Sequence, residues 1–294
     1  MKKIVVAPDS FKGSLTSAEV ADAVERGIKD VFPQCNVVKA GVADGGEGTV
    51  EAIVKAVGGD MYAASVTDRL GRPVKAAYGI VRSGGVKTAV MEMSAASGLP
   101  LLLPDELNPW ITSTYGTGEM ISDALNRGCR KFLVGIGGSA TNDAGTGMLS
   151  ALGVRFLDSR GQRLKGCGRD LKSIARIDMS SLMPAARESE FIVACDVNTP
   201  FCGPDGAARV FAPQKGADPQ TAEALDRGMR SFARVIAGQF QTDIVPLSGA
   251  GAAGGLGGAF KAFLNARLTA GIEMVLDAIA FDSLLEGASL VITG

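Results

Sequence analysis

The first sixty residues alternate apolar strands with amphipathic helices, and this alternation is the strongest constraint on the fold. Residues 2–7, "KKIVVA", are typical of a buried strand, and residues 36–41, "NVVKAG", are typical of a second strand. Each is followed by a stretch whose apolar residues recur at helical spacing: Val20, Val24, Ile28 and Val31 in the first, and Val50, Ile53, Val54 and Val57 in the second. Strand–helix–strand–helix with continuously apolar strands indicates a parallel α/β sheet.

Local signals predict where these two helices begin and end. Thr16 and Glu19 have the spacing of a capping box, which predicts that the first helix starts directly after Thr16. Pro33 ends that helix, and Gly58 is the expected C-cap of the second. From about residue 61 to 93 the pattern changes to closely spaced strands, and helix–strand alternation resumes near residue 118.

The chain contains no histidine, and this absence narrows the chemistry that it can perform. Histidine-dependent triads, HExxH zinc sites and histidine general bases are excluded. Any acid–base step must therefore use carboxylates, lysine, tyrosine or cysteine.

The charge balance and the cysteine pattern limit the binding partners and the cellular compartment that we expect for the protein. Lysine plus arginine (30) nearly balances aspartate plus glutamate (31), so we expect no nucleic-acid partner and no attraction to anionic lipid. Pro8 and Asp9 interrupt the short amino-terminal apolar run, and no apolar stretch approaches the length of a membrane span. The five cysteines show no CxxC pair, which favours reduced thiols and a cytoplasmic location.

Residues 131–158, "KFLVGIGGSATNDAGTGMLSALGVRFLD", join an apolar strand to a glycine cluster and a helix-like pattern. Residues 135–140 fit G-x-G-x-x-A and Asp158 ends the next strand, so an NAD-dependent dehydrogenase is one interpretation. Asn142 and Asp143, expected in the first helical turn, are atypical there, because a carboxylate repels a pyrophosphate unless a metal ion separates them. The alternative is that the segment binds no ligand and is a tight glycine-rich turn, with Asp143 as the cap of the following helix.

Two polar loops follow the first two predicted strands. "APDSFKGS" (residues 7–14) offers Asp9, Ser10 and Lys12, and "ADGGEGT" (residues 43–49) offers Asp44 and Glu47. Ligands of open α/β sheets bind at the carboxyl ends of parallel strands, where both loops are expected. Acidic residues at helix starts also stabilise a helix without any further function, so neither loop decides the matter alone.

Two later segments have the composition of a ligand site. The irregular stretch of residues 194–218 carries Asp196 at a strand end and Lys215 between Gln214 and Gly216, which suits a metal-and-phosphate site or a solvated loop. The glycine-rich segment "SGAGAAGGLGGAF" (residues 248–260) suits either a phosphate cradle or close helix packing. No Walker A motif occurs, since the dipeptide GK is absent.

Taken in order, these segments resemble the type I bacterial glycerate kinase family. The matching blocks span the chain: "APDSFKGS", "ADGGEGT", "EMSAASGL", "GTGEMI", "GIGGSATNDAGTGMLSALGVRFLD", "ACDVNTPFCGPDGAARVFAPQKGA", "GAGAAGGLGGAF" and "GIEMVLD". The resemblance implies an α/β fold with two domains: a discontinuous Rossmann-like domain with a parallel sheet (residues 1–70 plus 270–294) and an inserted mixed α/β domain (residues 71–269). It also implies further residues after "VITG", so we expect the chain to stop short of the natural protein.

The resemblance further implies that ATP phosphorylates D-glycerate, giving 2-phosphoglycerate or, as the alternative, 3-phosphoglycerate. We expect ATP and Mg²⁺ as cofactors, glycerate as the small-molecule partner, and a monomer or homodimer. Phosphoryl transfer needs positioning, charge neutralisation and a base near the acceptor hydroxyl.

These needs assign a predicted role to each candidate residue. Lys215 neutralises the transferred group, Asp143 or Asp196 holds Mg²⁺, and Asp44 or Asp196 accepts the hydroxyl proton. The residues expected to bind ATP through amides at a helix N-terminus are Gly137, Gly138 and Ser139, with Ala140, Thr141 and Asn142 beside them. The residues expected to bind glycerate are Asp9, Ser10, Lys12 and Glu47.

Overall fold

The computed structural model describes residues 2–11, 14–83, 85–101 and 103–294. The fold is α/β, as predicted, with one parallel sheet and a separate mixed sheet. The strands are β1 (Lys3–Ala7), β2 (Asn36–Lys39), β3 (Gly59–Thr67), β4 (Pro73–Ser83), β5 (Val86–Glu92), β6 (Lys131–Gly135), β7 (Arg155–Leu157), β8 (Arg176–Asp178), β9 (Glu190–Ala194), β10 (Arg267–Thr269) and β11 (Leu290–Thr293). The helices are α1 (Ser17–Val31), α2 (Thr49–Val57), α3 (Ser94–Ser97), α4 (Tyr115–Asn126), α5 (Thr146–Ala151), α6 (Pro184–Arg187), α7 (Ala207–Phe211), α8 (Pro219–Phe240), α9 (Ala252–Leu264), α10 (Gly271–Ala278) and α11 (Phe281–Leu285).

The parallel sheet has three strands in the order β11-β1-β2. Val5 of the central strand is in register with Val291 on one side and Val38 on the other. Val5 and Val6 are completely buried, as the continuous apolar run of this strand predicts. The two ends of the chain therefore meet in one sheet.

The mixed sheet has six strands in the order β10-β9-β6-β5-β4-β3. The strands β10, β9, β6 and β5 are parallel, whereas β4 and β3 complete the sheet as antiparallel neighbours. β7 and β8 form their own antiparallel pair. The carboxyl ends of β5, β6 and β9 lie side by side, which is the edge where open α/β sheets bind ligands.

Sheet membership changes at β3, which begins at Gly59 and pairs within the mixed sheet. β10, which ends at Thr269, is the last strand of that sheet, and β11 returns to the parallel sheet. The division into residues 1–70 plus 270–294 and residues 71–269 stays a prediction.

Two helices pack between the sheets. α2 and α10 contribute Ile53 and Met274 to a buried apolar cluster that also contains Ala7 of β1, Val90 of β5 and Ile192 of β9. The opposite face of the mixed sheet is covered by a larger cluster drawn from α4, α5, α8 and α9. Since α2 and α10 contact both sheets, they fix the loops at their amino termini relative to the strand ends.

The predicted ends of the first two helices are confirmed. Thr16 Oγ1 accepts the Glu19 amide at 3.2 Å while the Glu19 carboxylate accepts the Thr16 amide at 2.8 Å, which completes the capping box. α2 ends at Val57 and is followed by Gly58 with φ +81°. Within the part of the chain that the structure describes, no helix is both long and apolar enough to cross a membrane.

Candidate active site

The glycine loop after β6 does not lead directly into a helix, so that part of the sequence prediction is wrong. β6 ends at Gly135 and α5 starts only at Thr146. Ala144 (φ +51°) and Gly145 (φ +69°) are in the left-handed region, which prevents a right-handed helical turn from forming earlier. Amides in the loop can still face an anion, but without the amino terminus of a helix behind them.

The six residues expected to bind ATP divide into an exposed and a buried group. Gly137 and Gly138 are exposed at the carboxyl end of β6. Ser139 is 7% exposed, and the three residues after it, Ala140, Thr141 and Asn142, are completely buried. In this structure a ligand can reach the backbone of the two glycines but not the last three residues.

Lys215 lies on the interior side of this loop and not on its solvent-exposed side. It ends a short 3₁₀ turn, Pro213–Lys215, and its side chain is 1% exposed. Its Nζ donates to Ser139 Oγ at 2.8 Å and to the Thr141 carbonyl at 2.7 Å. Burial lowers the pKa of Lys215 to about 7, although the negative charge of Asp143 acts in the opposite direction. Lys215 therefore ties the loop to the segment before α8.

Asp143 is also completely buried, and its carboxylate accepts hydrogen bonds from four protein donors. It accepts the Thr114 amide and the Thr114 hydroxyl at 2.8 Å each, the Gly145 amide at 3.1 Å and the Gly147 amide at 3.2 Å. Burial raises the pKa of Asp143, and these hydrogen bonds oppose the rise. The geometry favours a structural role that joins the start of α4 to the start of α5, and it leaves Asp196 better placed for a metal ion.

The Asp44–Glu47 loop packs its backbone onto the ends of β6 and β9. Gly45 has φ +85°, and a Cβ at this position would lie 2.5 Å from the Ala194 Cβ. A Cβ on Gly135 would collide with the Gly45 carbonyl. Because only glycine fits at these positions, the loop is held closely against the strand ends. The side chains of Asp44 and Glu47 remain exposed.

Asp196 meets the same loop at the start of α10. Its exposed carboxylate follows β9 and accepts the Gly271 amide at 2.9 Å through Oδ1. A Cβ on Gly271 would collide with the Asp44 carbonyl and would lie 2.9 Å from Asp196 Oδ2. The structure thus brings Asp44 and Asp196, predicted from distant segments, around one glycine.

A cavity of about 850 Å³ lies beside these loops. Its wall includes Asp9, Ser10 and Glu47, three of the four residues expected to bind glycerate. Asp9 and Ser10 are half-buried, and the Asp9 carboxylate accepts the Ser10 amide at 2.6 Å. The fourth, Lys12, lies outside the described residues, so its predicted role is not tested.

Glu92 is a wall residue that the sequence reasoning did not identify. It ends β5 half-buried and accepts the Val50 amide at 3.1 Å. Burial raises the pKa of Glu92, and the charges of Glu47 and Glu51 add to the rise. The available signal was an acidic residue at the end of the apolar run "KTAVME", which is weak because burial depends on the tertiary fold.

The two features that suggested a dinucleotide site, the glycine loop after β6 and Asp158 after β7, follow strands of different sheets. β6 has β5 and β9 as neighbours, whereas the strand that precedes Asp158 is β7, which pairs with β8. The Asp158 carboxylate accepts the Arg160 and Gln162 amides at 2.8 Å each, as expected for a turn residue. An NAD site places its ribose-binding acid on the parallel strand next to the glycine loop, and this arrangement is not found among the described residues.

The glycine-rich segment at the start of α9 serves helix packing. Ala253, Gly254 and Gly255 have positive φ, so regular helical geometry begins after them. A Cβ on Gly254 would collide with the Thr141 carbonyl, and one on Gly255 would lie 2.9 Å from the Ala144 Cα. The close-packing interpretation is therefore favoured over a phosphate cradle at this segment.

Comparison with known proteins agrees with this picture. A family model described as the glycerate kinase family matches residues 4–294. The chain is 48% identical over 292 residues to the glycerate kinase of Bacillus subtilis, covering 99% of this chain and 76% of that protein. It is 46% identical over 292 residues to the glycerate 2-kinase of Escherichia coli, covering the same shares. The crystal structure of putative glycerate kinase 2 from Salmonella typhimurium superimposes with a TM-score of 0.96 at 46% identity, covering all of this chain and 78% of that one.

Lys215→Met should change how stability depends on pH. The folded pKa of Lys215 lies near 7 and the unfolded value near 10.4, so between these limits the unfolded state binds more protons. The free energy of unfolding of the parent should therefore rise relative to that of the variant, by up to about 1.4 kcal/mol per pH unit. Urea unfolding of both proteins at pH 7, 8 and 9 measures this difference, and parallel profiles would contradict the burial of a titrating amine.

Proposed function

The chain belongs to the glycerate kinase family, and on that premise we propose that it transfers the γ-phosphoryl group of ATP to a hydroxyl of D-glycerate. The favoured product is 2-phosphoglycerate, in line with the name of the Escherichia coli relative, and 3-phosphoglycerate is the alternative. The observation that carries the proposal is the convergence of the glycine loop, the Asp44–Glu47 loop and an acidic cleft at one edge of the mixed sheet.

The phosphates of ATP would lie against the exposed backbone of Gly137 and Gly138. A Cβ on Gly137 would lie 3.7 Å from the Gly46 Cα, so two segments without side chains face each other here. Backbone amides without side chains in front of them approach phosphate oxygens closely. Lys215 supports this surface from below, through Ser139 Oγ and the Thr141 carbonyl, so its proposed role is to position the loop.

Mg²⁺ suits the carboxylates at the rim of the site. Among the described residues, no group of three or more histidine, cysteine, aspartate or glutamate side chains could hold a metal ion. Magnesium usually takes only one or two protein carboxylates and completes its shell with phosphate oxygens and water. Asp196 is the proposed ligand, with Asp44 beside it, and the ion would neutralise charge on the triphosphate.

Glycerate would occupy the cleft beside Asp9, Ser10 and Glu47. Hydroxyl groups of the substrate can donate to these carboxylates, whereas the substrate carboxylate needs a cation. Lys39 in the cleft wall is already paired with Asp22 and Glu25, at 2.7 Å each. Lys55 is the second lysine of this wall and can also face the substrate carboxylate. Lys12 stays the predicted partner of that carboxylate.

The cytoplasm is the proposed compartment. All five cysteines are free, which suits a reducing environment. A monomer or homodimer remains the predicted state of assembly.

The proposed activity predicts ADP formation only with a suitable hydroxy acid. The protein is mixed with ATP, Mg²⁺ and a panel of hydroxy acids, and ADP release is followed in a coupled assay. D-glycerate should give the highest kcat/KM of the panel. Binding of glycerate or ATP without turnover would identify a non-catalytic binder, and reduction of NAD by a hydroxy acid would restore the dehydrogenase alternative.

Asp196→Asn should lower kcat by about 100-fold or more with the fold intact, because it removes a charge needed beside the triphosphate. Asn keeps an oxygen that can accept the Gly271 amide. Asp205→Asn is the matched control, since Asp205 is an exposed aspartate of the same irregular segment. Steady-state kinetics and circular dichroism measure the two effects. If the Asp196 variant turned over within a few-fold of the parent, Asp196 would have neither the metal nor the base role.

A further inference from the structure

We propose that Glu92 accepts the proton of the glycerate hydroxyl during phosphoryl transfer. This inference rests on the proposed kinase function and adds to it a residue that the sequence pattern did not single out. Asp44 and Asp196 are then left to hold the metal ion and the phosphates.

The position of Glu92 places it between the two substrates. It is the last residue of β5, in register with Gly135 at the end of β6, which directly precedes the glycine loop. A Cβ on Gly135 would lie 3.6 Å from the Glu92 Cγ. The Glu92 side chain also forms part of the cleft wall with Asp9 and Glu47. One carboxylate therefore adjoins both the proposed phosphate loop and the proposed glycerate cleft.

The first turn of α2 fixes the orientation of this carboxylate. Glu92 Oε1 accepts the Val50 amide at 3.1 Å. A base held by a backbone donor does not have to be ordered at the moment of reaction. Its attachment to the helix start leaves it at the cleft, where a substrate hydroxyl can reach it.

The surroundings of Glu92 increase its affinity for a proton. The acidic groups facing it are Glu47 before α2 and Glu51 on α2, and Asp9 and Lys55 lie elsewhere in the wall of the same cleft. Burial and the two neighbouring glutamates raise the pKa of Glu92, while the amides of Val50 and Thr49 oppose the rise. A general base works best when its pKa approaches the working pH, so this shift is in the useful direction.

The proposed step is a direct transfer of the γ-phosphoryl group from ATP to glycerate. The hydroxyl oxygen of glycerate forms a bond to the γ-phosphorus of ATP, and the bond from that phosphorus to the β–γ bridging oxygen breaks. ADP leaves with the electron pair of the broken bond. The hydroxyl proton passes to a carboxylate oxygen of Glu92 and is released to water after phosphoglycerate has left.

A purely structural role is the alternative, since Glu92 also caps the start of α2. Glu92→Gln separates the two roles, because the amide oxygen still accepts the Val50 amide but the group no longer accepts a proton at neutral pH. Glu188→Gln is the matched control: it makes the same substitution at an exposed glutamate that follows α6 and is not part of the cleft wall.

The experiment compares kcat/KM for glycerate against pH in the parent and the variants, together with their melting temperatures. Glu92→Gln should lower kcat/KM by about 100-fold or more and remove the acid limb of the profile, with an unchanged melting temperature. Glu188→Gln should stay within a few-fold of the parent.

Two results would overturn the inference, and a third would overturn its premise. Glu92→Gln with near-parent kcat/KM and an intact acid limb would leave Glu92 a helix cap. If that variant does not fold, Glu92→Asp decides: a carboxylate one methylene shorter should retain the acid limb but lose about 10-fold in kcat/KM, and parent-like kinetics would refute a proton-accepting role. A parent protein that forms no ADP with any hydroxy acid would instead refute the kinase function.

Discussion

The contact of backbone on backbone at Gly45, Gly135 and Gly271 is the constraint on which the arrangement of the site depends. A Cβ on any of the three would collide with, or press closely against, main-chain or side-chain atoms of the facing segments. These contacts join a loop that leaves the parallel sheet to the strand ends of the mixed sheet. Through them, the main chain of Asp44 and the carboxylate of Asp196 meet at Gly271.

The charged residues around the glycine loop form two groups, one buried in the protein interior (below the loop) and one exposed to solvent (above it). Below it, Lys215 and Asp143 are buried and make their hydrogen bonds to the protein, which holds the loop in one conformation. Above it, Asp44 and Asp196 are exposed and available to a ligand. Phosphoryl transfer depends largely on positioning and on charge placed in advance, and such a division supplies both.

The sequence was sufficient where local chemistry decides structure. The capping box at Thr16 and Glu19 and the end of α2 at Gly58 needed no tertiary information. The late start of α5 was missed because two consecutive residues, Ala144 and Gly145, adopt positive φ where α9 packs against them. Asp143 was expected to face a ligand, but four protein donors surround it, and Glu92 was missed because its burial depends on how α2 packs on the sheet.

Both substrates should bind where these loops converge. A crystal structure of the protein with a non-hydrolysable ATP analogue, Mg²⁺ and D-glycerate tests it most directly. We expect the γ-phosphate against the backbone of Gly137 and Gly138, and a glycerate hydroxyl within about 3 Å of a Glu92 carboxylate oxygen. A γ-phosphate bound away from Gly137 and Gly138, or glycerate bound outside the cleft of Asp9, Glu47 and Glu92, would contradict it.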